Sequence, residues 1–347
     1  FGLLSCLRTA FETKEGKMPI VTIGTSKVED DTTLPKVVFS PSTTLVDDEF
    51  VLDEYNLARR SWLVYSRLPS AILFAETTED VVRGVNCARV NGYKVSPRGR
   101  GHDSAGLSSV EGSLVIDMQL NCKFDDFVAD KTVKGDHILP GSKIVGTIKA
   151  PSGCTNAVFL TAVDKAFKDD GGMNVCGHCP SVGITGYILN GGYGDTTPYV
   201  GTAADLVTEI EMVLYDGTII TASKDEHEDI FSASKGGTGG IGVITSFVAR
   251  IIENPSPTKK FTFFKVYLQP FTNAADETQI ETQVESLMRF QKLTYHNPNG
   301  VRFGGGYLAG VNFGYTFLGS IDELLTVFHD AGLLDPKLLS TEGESLA

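Results

Sequence analysis

Two short stretches set thiol, imidazole, hydroxyl and guanidinium groups among glycines: VCGHCPSVG at 175–183 and PRGRGHDSAG at 97–106. The first places Cys176 and Cys179 at C-x-x-C spacing, which suits thiol–disulfide exchange or half of a zinc site. Exchange requires the first cysteine exposed at the start of a long helix, whose dipole lowers the thiol pKa. Pro180 and glycines at 183, 186, 191, 192 and 194 argue against such a helix. Zinc requires two further ligands at related spacing, and the sequence has neither a second C-x-x-C nor a paired histidine motif. No metal is therefore expected, and the open question is what needs one thiol among glycines.

The second stretch alternates glycines with cations over Arg98-Gly99-Arg100-Gly101-His102-Asp103-Ser104. Side-chain-free residues at this spacing let successive backbone N–H groups converge on an anion such as a diphosphate. The pattern is neither a P-loop, since no Gly-Lys-Ser/Thr opens a helix, nor G-x-G-x-x-G. Taken alone it reads equally as a surface turn with solvated arginines, and His102 as an ordinary loop histidine.

The elements that must position these stretches follow from pattern. Thr77-Thr78-Glu79-Asp80 caps a helix with apolar face Val81, Val82, Val85 and Ala88, ended by Asn91-Gly92. The strand YKVS runs into the first glycine-rich stretch, and SLVIDM follows as a second strand. A small-residue strand segment then leads into a helix over NAVFLTAVDKAFKDD, with Val158, Ala162, Val163 and Phe167 on one side and Gly171 past its end. VTEIEMVLYDGTIITA at 207–222 is a hairpin, predicted with a type I′ turn at Asp216-Gly217. VITSFVARII is a further strand. Beyond ENPSPTKK at 253–260 come the strand FTFFKVYL and a helix over 275–294 with Ile280, Val284, Leu287 and Met288 on one face. One or two aromatic strands over 301–320 and a helix over IDELLTVFHDAGL complete the sequence.

This grammar predicts an irregular segment at 1–60, a main domain at 61–253 and part of a second at 260–347. Residue 1 is Phe, so the chain is expected to be a fragment or a processed product. At 347 residues and 41% hydrophobic content it can bury a large core. No run approaches the roughly 18 uncharged apolar residues of a membrane span. The net charge of −13 repels phosphate backbones, so no nucleic-acid partner is expected. Six cysteines are too few for a disulfide scaffold at this length, leaving room for one or two structural bridges in an oxidising compartment.

Four motifs in order carry a resemblance. They are R-G-R-G-H-D-S-A-G, then G-H-C-P-S-V-G-x-x-G-x-x-x-x-G-G-x-G, then G-T-A-A-D-L-V-x-E-x-E-x-V-L-x-D-G, and last G-G-T-G-G-I-G-V-I-T. Together they resemble the berberine-bridge-enzyme-like branch of the FAD-linked oxidases, over roughly residues 60–253. The fold this implies is α+β: a PCMH-type FAD-binding domain of two α/β subdomains, plus the start of an antiparallel-sheet substrate domain covered by helices. The resemblance implies covalent FAD, with His102 on the 8α-methyl carbon and Cys179 on C6. It assigns Arg98, Gly99, Arg100, Gly101, Asp103 and Ser104 to the pyrophosphate loop. Val182, Gly183, Gly186, Gly191, Gly192 and Gly194 match backbone along flavin and ribose, while Met118 and Val243 match flavin and adenine contacts. Val182 also falls at the family's oxygen-gating position, where a small side chain favours oxidases.

Three positions depart from the family: Asn190 replaces a usual glycine, Gly240 a frequent asparagine, and Tyr199 stands near a common arginine. The family's catalytic base is expected beyond residue 347, and Tyr307 and Tyr315 read as sheet aromatics. The implied function is an FAD-dependent oxidase that takes hydride from an alcohol or hemiacetal carbon of a small-molecule substrate, a carbohydrate or secondary metabolite. Dioxygen would be the acceptor and hydrogen peroxide the product. Alternatives are a dehydrogenase with another acceptor, a non-catalytic flavin-binding fragment, or a thiol oxidoreductase using Cys176 and Cys179. Family habit and the spare cysteines point to secretion.

Overall fold

The computed structural model describes residues 2–11, 36–39, 68–136, 143–237, 240–254, 256–267, 303–309 and 312–330, with isolated positions between 281 and 292. Its first lobe comprises α1 (Gly2–Phe11), β1 (Lys36–Phe39), β2 (Ala71–Phe74), α2 (Thr78–Val90), β3 (Val95–Arg98) and β4 (Leu114–Asp117). The sheet order is β1-β2-β4-β3, with β2, β4 and β3 parallel and β1 antiparallel to β2. Every residue of β2 and β4 is buried, as expected of parallel strands covered on both faces. Because β3 and β4 are parallel, the glycine-rich connection between them crosses over instead of forming a hairpin. That crossover sets residues 99–104 at the carboxyl end of β3.

The cap of α2 forms as the sequence predicts: Thr77 and Asp80 satisfy each other's backbone N–H groups, and the helix ends at Asn91 before Gly92 at φ +71°. The N-terminal segment differs from expectation. Instead of irregular chain, residues 2–11 form a helix whose Leu3 and Leu7 are buried in the same core as Val81, Val85 and Ala88. A Cys6–Cys87 disulfide ties it to α2, so tertiary burial stabilises a helix too short to persist alone.

The second lobe contains β5 (Val128–Asp130), β6 (Gly135–Asp136), β7 (Lys143–Pro151), α3 (Asn156–Phe167), β8 (Gly172–Met173), α4 (Ile184–Leu189), α5 (Thr197–Val200), α6 (Ala203–Leu206), β9 (Val207–Leu214), β10 (Ile219–Ser223), α7 (Glu228–Ser234) and β11 (Gly242–Glu253). Its seven strands pair antiparallel around the path β10-β9-β11-β7-β5. Phe159 and Phe167 of α3 pack against this sheet, Phe159 at 5.8 Å from Phe247 of β11. The β9–β10 hairpin forms, but its turn is not type I′. Only Gly217 has positive φ, at +87°, while the Asp216 carboxylate accepts from Thr218 N–H. Leu214 N–H donates to Thr218 O and Gly217 N–H to Leu214 O, a three-residue loop with a left-handed glycine at its end.

Beyond residue 260, β12 (Phe261–Tyr267), β13 (Phe303–Ala309) and β14 (Asn312–Leu318) form an antiparallel sheet of order β12-β14-β13. The helix α8 (Ile321–Asp330) packs on it through Phe328, whose ring meets Phe264 edge-on at 5.5 Å. Tyr307 and Tyr315 occupy β13 and β14. The helix predicted over 275–294 lies mostly outside the described residues; Val284 and Met288 of its proposed apolar face are exposed.

Candidate functional site

The thiol loop is gripped from below by the turn between β7 and α3. The N–H groups opening a helix have no partner within it, and here the loop supplies one. Asn156 N–H donates to Val182 O at 2.9 Å and Ala157 N–H to Pro180 O at 3.2 Å, while Asn156 Nδ2 donates to Cys179 O at 3.4 Å. Ile184 N–H donates to Cys154 O, Thr155 bridges Gly183, and Thr185 Oγ1 donates to Ser152 O. With its carbonyls turned inward, the loop presents His178, Cys179 and Ser181 to solvent. A six-residue α4 follows despite Gly186, capped at its C-terminus by Asn190, whose Nδ2 donates to Gly186 O.

The two cysteines of the C-x-x-C have opposite environments. Cys176 is partly buried against the second lobe's core, which pushes its thiol up to about 12. Cys179 is exposed, and its thiol is held below the usual range by the Ser181 hydroxyl, then by the Ser181 and Val182 N–H groups. Cys179 Sγ lies 3.4 Å from Ser181 Oγ. An exchange site needs its first thiol activated, so this burial removes the thiol–disulfide reading.

The loop after β3 meets the thiol loop backbone to backbone. A Cβ on Gly183 would stand 3.0 Å from Arg100 N, and one on Gly99 3.9 Å from Gly183 Cα. Both arginines turn inward. Arg98 is buried in an ion pair with its register partner Asp117, Nε to Oδ2 at 2.5 Å. Burial pushes the Asp117 carboxyl up, against the downward pull of Arg98 and of Gln119 N–H. Arg100 Nε donates to Gly153 O at 2.9 Å, and burial lowers its pKa. Gly101 has φ +69°, and the Asp103 carboxylate accepts from Ala105 and Ser108 N–H, shaping the turn. Ser104 is exposed. At the apex of this arrangement His102 Nε2 lies 3.1 Å from Ser181 Oγ, the same oxygen that Cys179 approaches.

Residues 69–223 match the family model described as FAD binding domain. These residues are an FAD binding domain. Relatives include the FAD-linked oxidoreductase pynB of Aspergillus niger, 31% identical over 59% of this chain and 35% of that protein. In structure, BBE-like 1 of Physcomitrella patens superposes with TM-score 0.68 over 99% of this chain and 61% of that one, at 22% identity. A glucooligosaccharide oxidase of Acremonium strictum, described with 6-S-cysteinyl, 8α-N1-histidyl FAD, gives TM-score 0.55 at 21% identity, over 76% of this chain and 51% of that one. The chain thus spans about a third of the curated relative's length. These likenesses bear out the berberine-bridge-enzyme-like resemblance and the α+β, PCMH-type fold.

The glycines test whether FAD suits this domain. Three are demanded by packing: a Cβ at Gly194 would fall 2.0 Å from Cys176 O, at Gly192 2.8 Å from Ala203 Cβ, and at Gly183 against Arg100. Two face open space, since a Cβ at Gly186 or Gly191 would meet nothing within 4 Å. Open glycine backbone beside an activated thiol, an imidazole and a glycine turn fits a flat ring with a diphosphate tail. Arg98 and Arg100 are committed inward, so their guanidinium groups engage Asp117 and Gly153 O instead of that anion. Met118 and Val243 come together in the first lobe's core, each nearly fully buried. Val182 is half-buried beside Gly183.

Other participants were not assigned from sequence. Ser181 sat inside the motif without a role. Asn156, buried with Oδ1 lacking a hydrogen-bond partner, carried only the signal of following a Thr N-cap. Gly153, where a Cβ would fall 1.6 Å from Met118 O, and the Cys122–Cys154 bridge beside it join the two loops from below. Asp195 accepts from His178 Nε2 at 2.9 Å through one oxygen and from Thr316 Oγ1 of β14 through the other. No spacing rule links residues 121 positions apart. Among the described residues no cluster of three or more potential metal ligands occurs.

Proposed function

We propose that this domain holds FAD covalently through His102 and Cys179 and belongs to an oxidase. The carrying observation is that both side chains, His102 and Cys179, 77 positions apart in sequence, meet one hydroxyl, Ser181 Oγ. C6 and C8, the carbon that bears the 8α-methyl, are separated by C7 on the same ring of the flavin, so both tethers must reach one ring. The glucooligosaccharide oxidase with 6-S-cysteinyl, 8α-N1-histidyl FAD supports the same chemistry here. Making each tether removes two electrons and two protons in total, and dioxygen is the proposed acceptor.

When bound, FAD supplies two-electron acceptance: hydride from an alcohol or hemiacetal carbon of a carbohydrate or secondary metabolite, with dioxygen reduced to hydrogen peroxide. This chain's residues bind and orient. The 99–104 turn offers N–H donors to the diphosphate, Gly186 and Gly191 leave room for the ring, and half-buried Val182 shapes access beside Gly183. Two disulfides, Cys6–Cys87 and Cys122–Cys154, support a secreted protein.

The deciding measurement is the visible spectrum of purified protein before and after acid precipitation, repeated on His102→Ala and Cys179→Ala. Yellow colour should stay with precipitated wild-type protein, persist in each single variant through the remaining tether, and wash out of the double variant. Colour that leaves precipitated wild-type protein freely would overturn the covalent reading. Peroxide formed with oligosaccharides in air, and absent under argon, tests the oxidase assignment.

A further inference from the structure

Ser181 has one hydroxyl proton and two neighbours that could take it. Cys179 Sγ stands 3.4 Å away and His102 Nε2 3.1 Å away. A single O–H cannot donate to both, so donation to one requires acceptance from the other. The loop fixes the choice of geometry. Its carbonyls at 179, 180 and 182 are tied to the start of α3, which turns Ser181 and Cys179 outward together, two residues apart. Backbone N–H groups of Ser181 and Val182 already favour negative charge at Cys179, and the positive end of α3 lies beneath.

We propose that Ser181 is the positioning residue for cofactor attachment: its O–H donates to the Cys179 thiolate while its oxygen accepts from His102 Nε2–H. The inference rests on the covalent reading above. In this arrangement the hydroxyl favours the ionised form of Cys179, the nucleophile that attachment requires. The orientation of the imidazole is then fixed by the hydroxyl at Nε2. One small side chain thereby holds both tethers against a single oxygen. The other charged groups nearby are Arg100 and Asp103 on the 99–104 turn and the His178–Asp195 pair, and all four have partners of their own.

The test uses the full chain produced in riboflavin-deficient medium. Alkylation of Cys179 by iodoacetamide is followed by peptide mass spectrometry from pH 5 to 10, for wild type, Ser181→Ala and Ser181→Thr. Loss of one hydrogen bond to an ionised group should raise the midpoint of the Ser181→Ala profile by about one pH unit. Ser181→Thr, which keeps the hydroxyl, should restore the wild-type midpoint. FAD is then added and acid-stable flavin is measured with time; Ser181→Ala should acquire it at least about tenfold more slowly, with Ser181→Thr close to wild type. Identical midpoints and identical attachment rates for wild type and Ser181→Ala would overturn the role of Ser181. Absence of acid-stable flavin in wild type would instead bring down the covalent reading itself. Equal circular dichroism of the three proteins guards against a folding defect.

Discussion

His178 and Asp195, on separate loops of the FAD binding domain, form a pair at 2.9 Å whose carboxylate also takes a hydrogen bond from Thr316 in the third sheet. One side chain therefore joins the residue next to Cys179 with the sheet that the resemblance assigns to substrate. Removing the carboxylate strips both partners at once. Asp195→Ala should lower the melting temperature by about 2–6 °C, from hydrogen bonds worth about 1–2 kcal/mol in a domain of this size. Thr316→Val should lose part of the same amount, and the two losses should not add. Additive losses in that double-mutant cycle would show that the bridge is not one unit.

The glycine run should separate folding from binding. Gly194→Ala places a methyl 2.0 Å from Cys176 O and Gly192→Ala one 2.8 Å from Ala203 Cβ, at φ +63°. Both should destabilise by about 1–3 kcal/mol, visible as a lowered denaturant midpoint. Gly186→Ala lies within α4 facing open space, so its fold should be unchanged or slightly more stable. Its FAD affinity should fall, because the methyl occupies room proposed for the cofactor. Full FAD binding by Gly186→Ala would mean the ring lies elsewhere.

Burial of Cys176 has a pH consequence. Its thiol is raised from about 9 to about 12 in the folded chain, so the unfolded chain ionises first as pH rises. The stability associated with the buried neutral thiol is intact below pH 9, declines from there, and is fully lost near pH 12. Cys176→Ala should flatten that alkaline decline, by at most a few kcal/mol. Parallel decline in both proteins between pH 9 and 11, in urea unfolding, would refute it.

The Cys122–Cys154 bridge closes a loop of sequence separation 32 directly under the turn that grips the thiol loop. Replacing both cysteines with alanine should cost about 2–4 kcal/mol. Loosened support should also bring the Cys179 alkylation midpoint closer to that of a free thiol. A stability loss with no change in Cys179 reactivity would show that the bridge braces the lobe without positioning the loop.

Local signals were legible where they are self-contained. The Thr77 capping box, the α3 helix followed by a 3-10 turn that ends at Gly171, the paired strands about Asp216-Gly217 and the ordered glycine motifs needed only neighbours in sequence. The type of the β9–β10 turn was not legible, because Asp216 and Gly217 suit two loop geometries and side-chain capping by Asp216 selected the three-residue one. Nor was α1, whose stability comes from Leu3, Leu7 and a disulfide to a helix 81 positions away.

The sequence by itself carried the glycine motifs of an FAD binding domain in family order, and Pro180 denied Cys176 and Cys179 the long helix that exchange requires. Only the tertiary structure decided how the two cysteines differ, since burial of Cys176 and exposure of Cys179 depend on carbonyls captured by α3. It also decided that Arg98 and Arg100 face inward, that Ser181 stands between His102 and Cys179, and that Asp195 reaches Thr316. Those relationships join residues tens of positions apart, and packing, unlike local propensity, leaves no periodic trace along the chain.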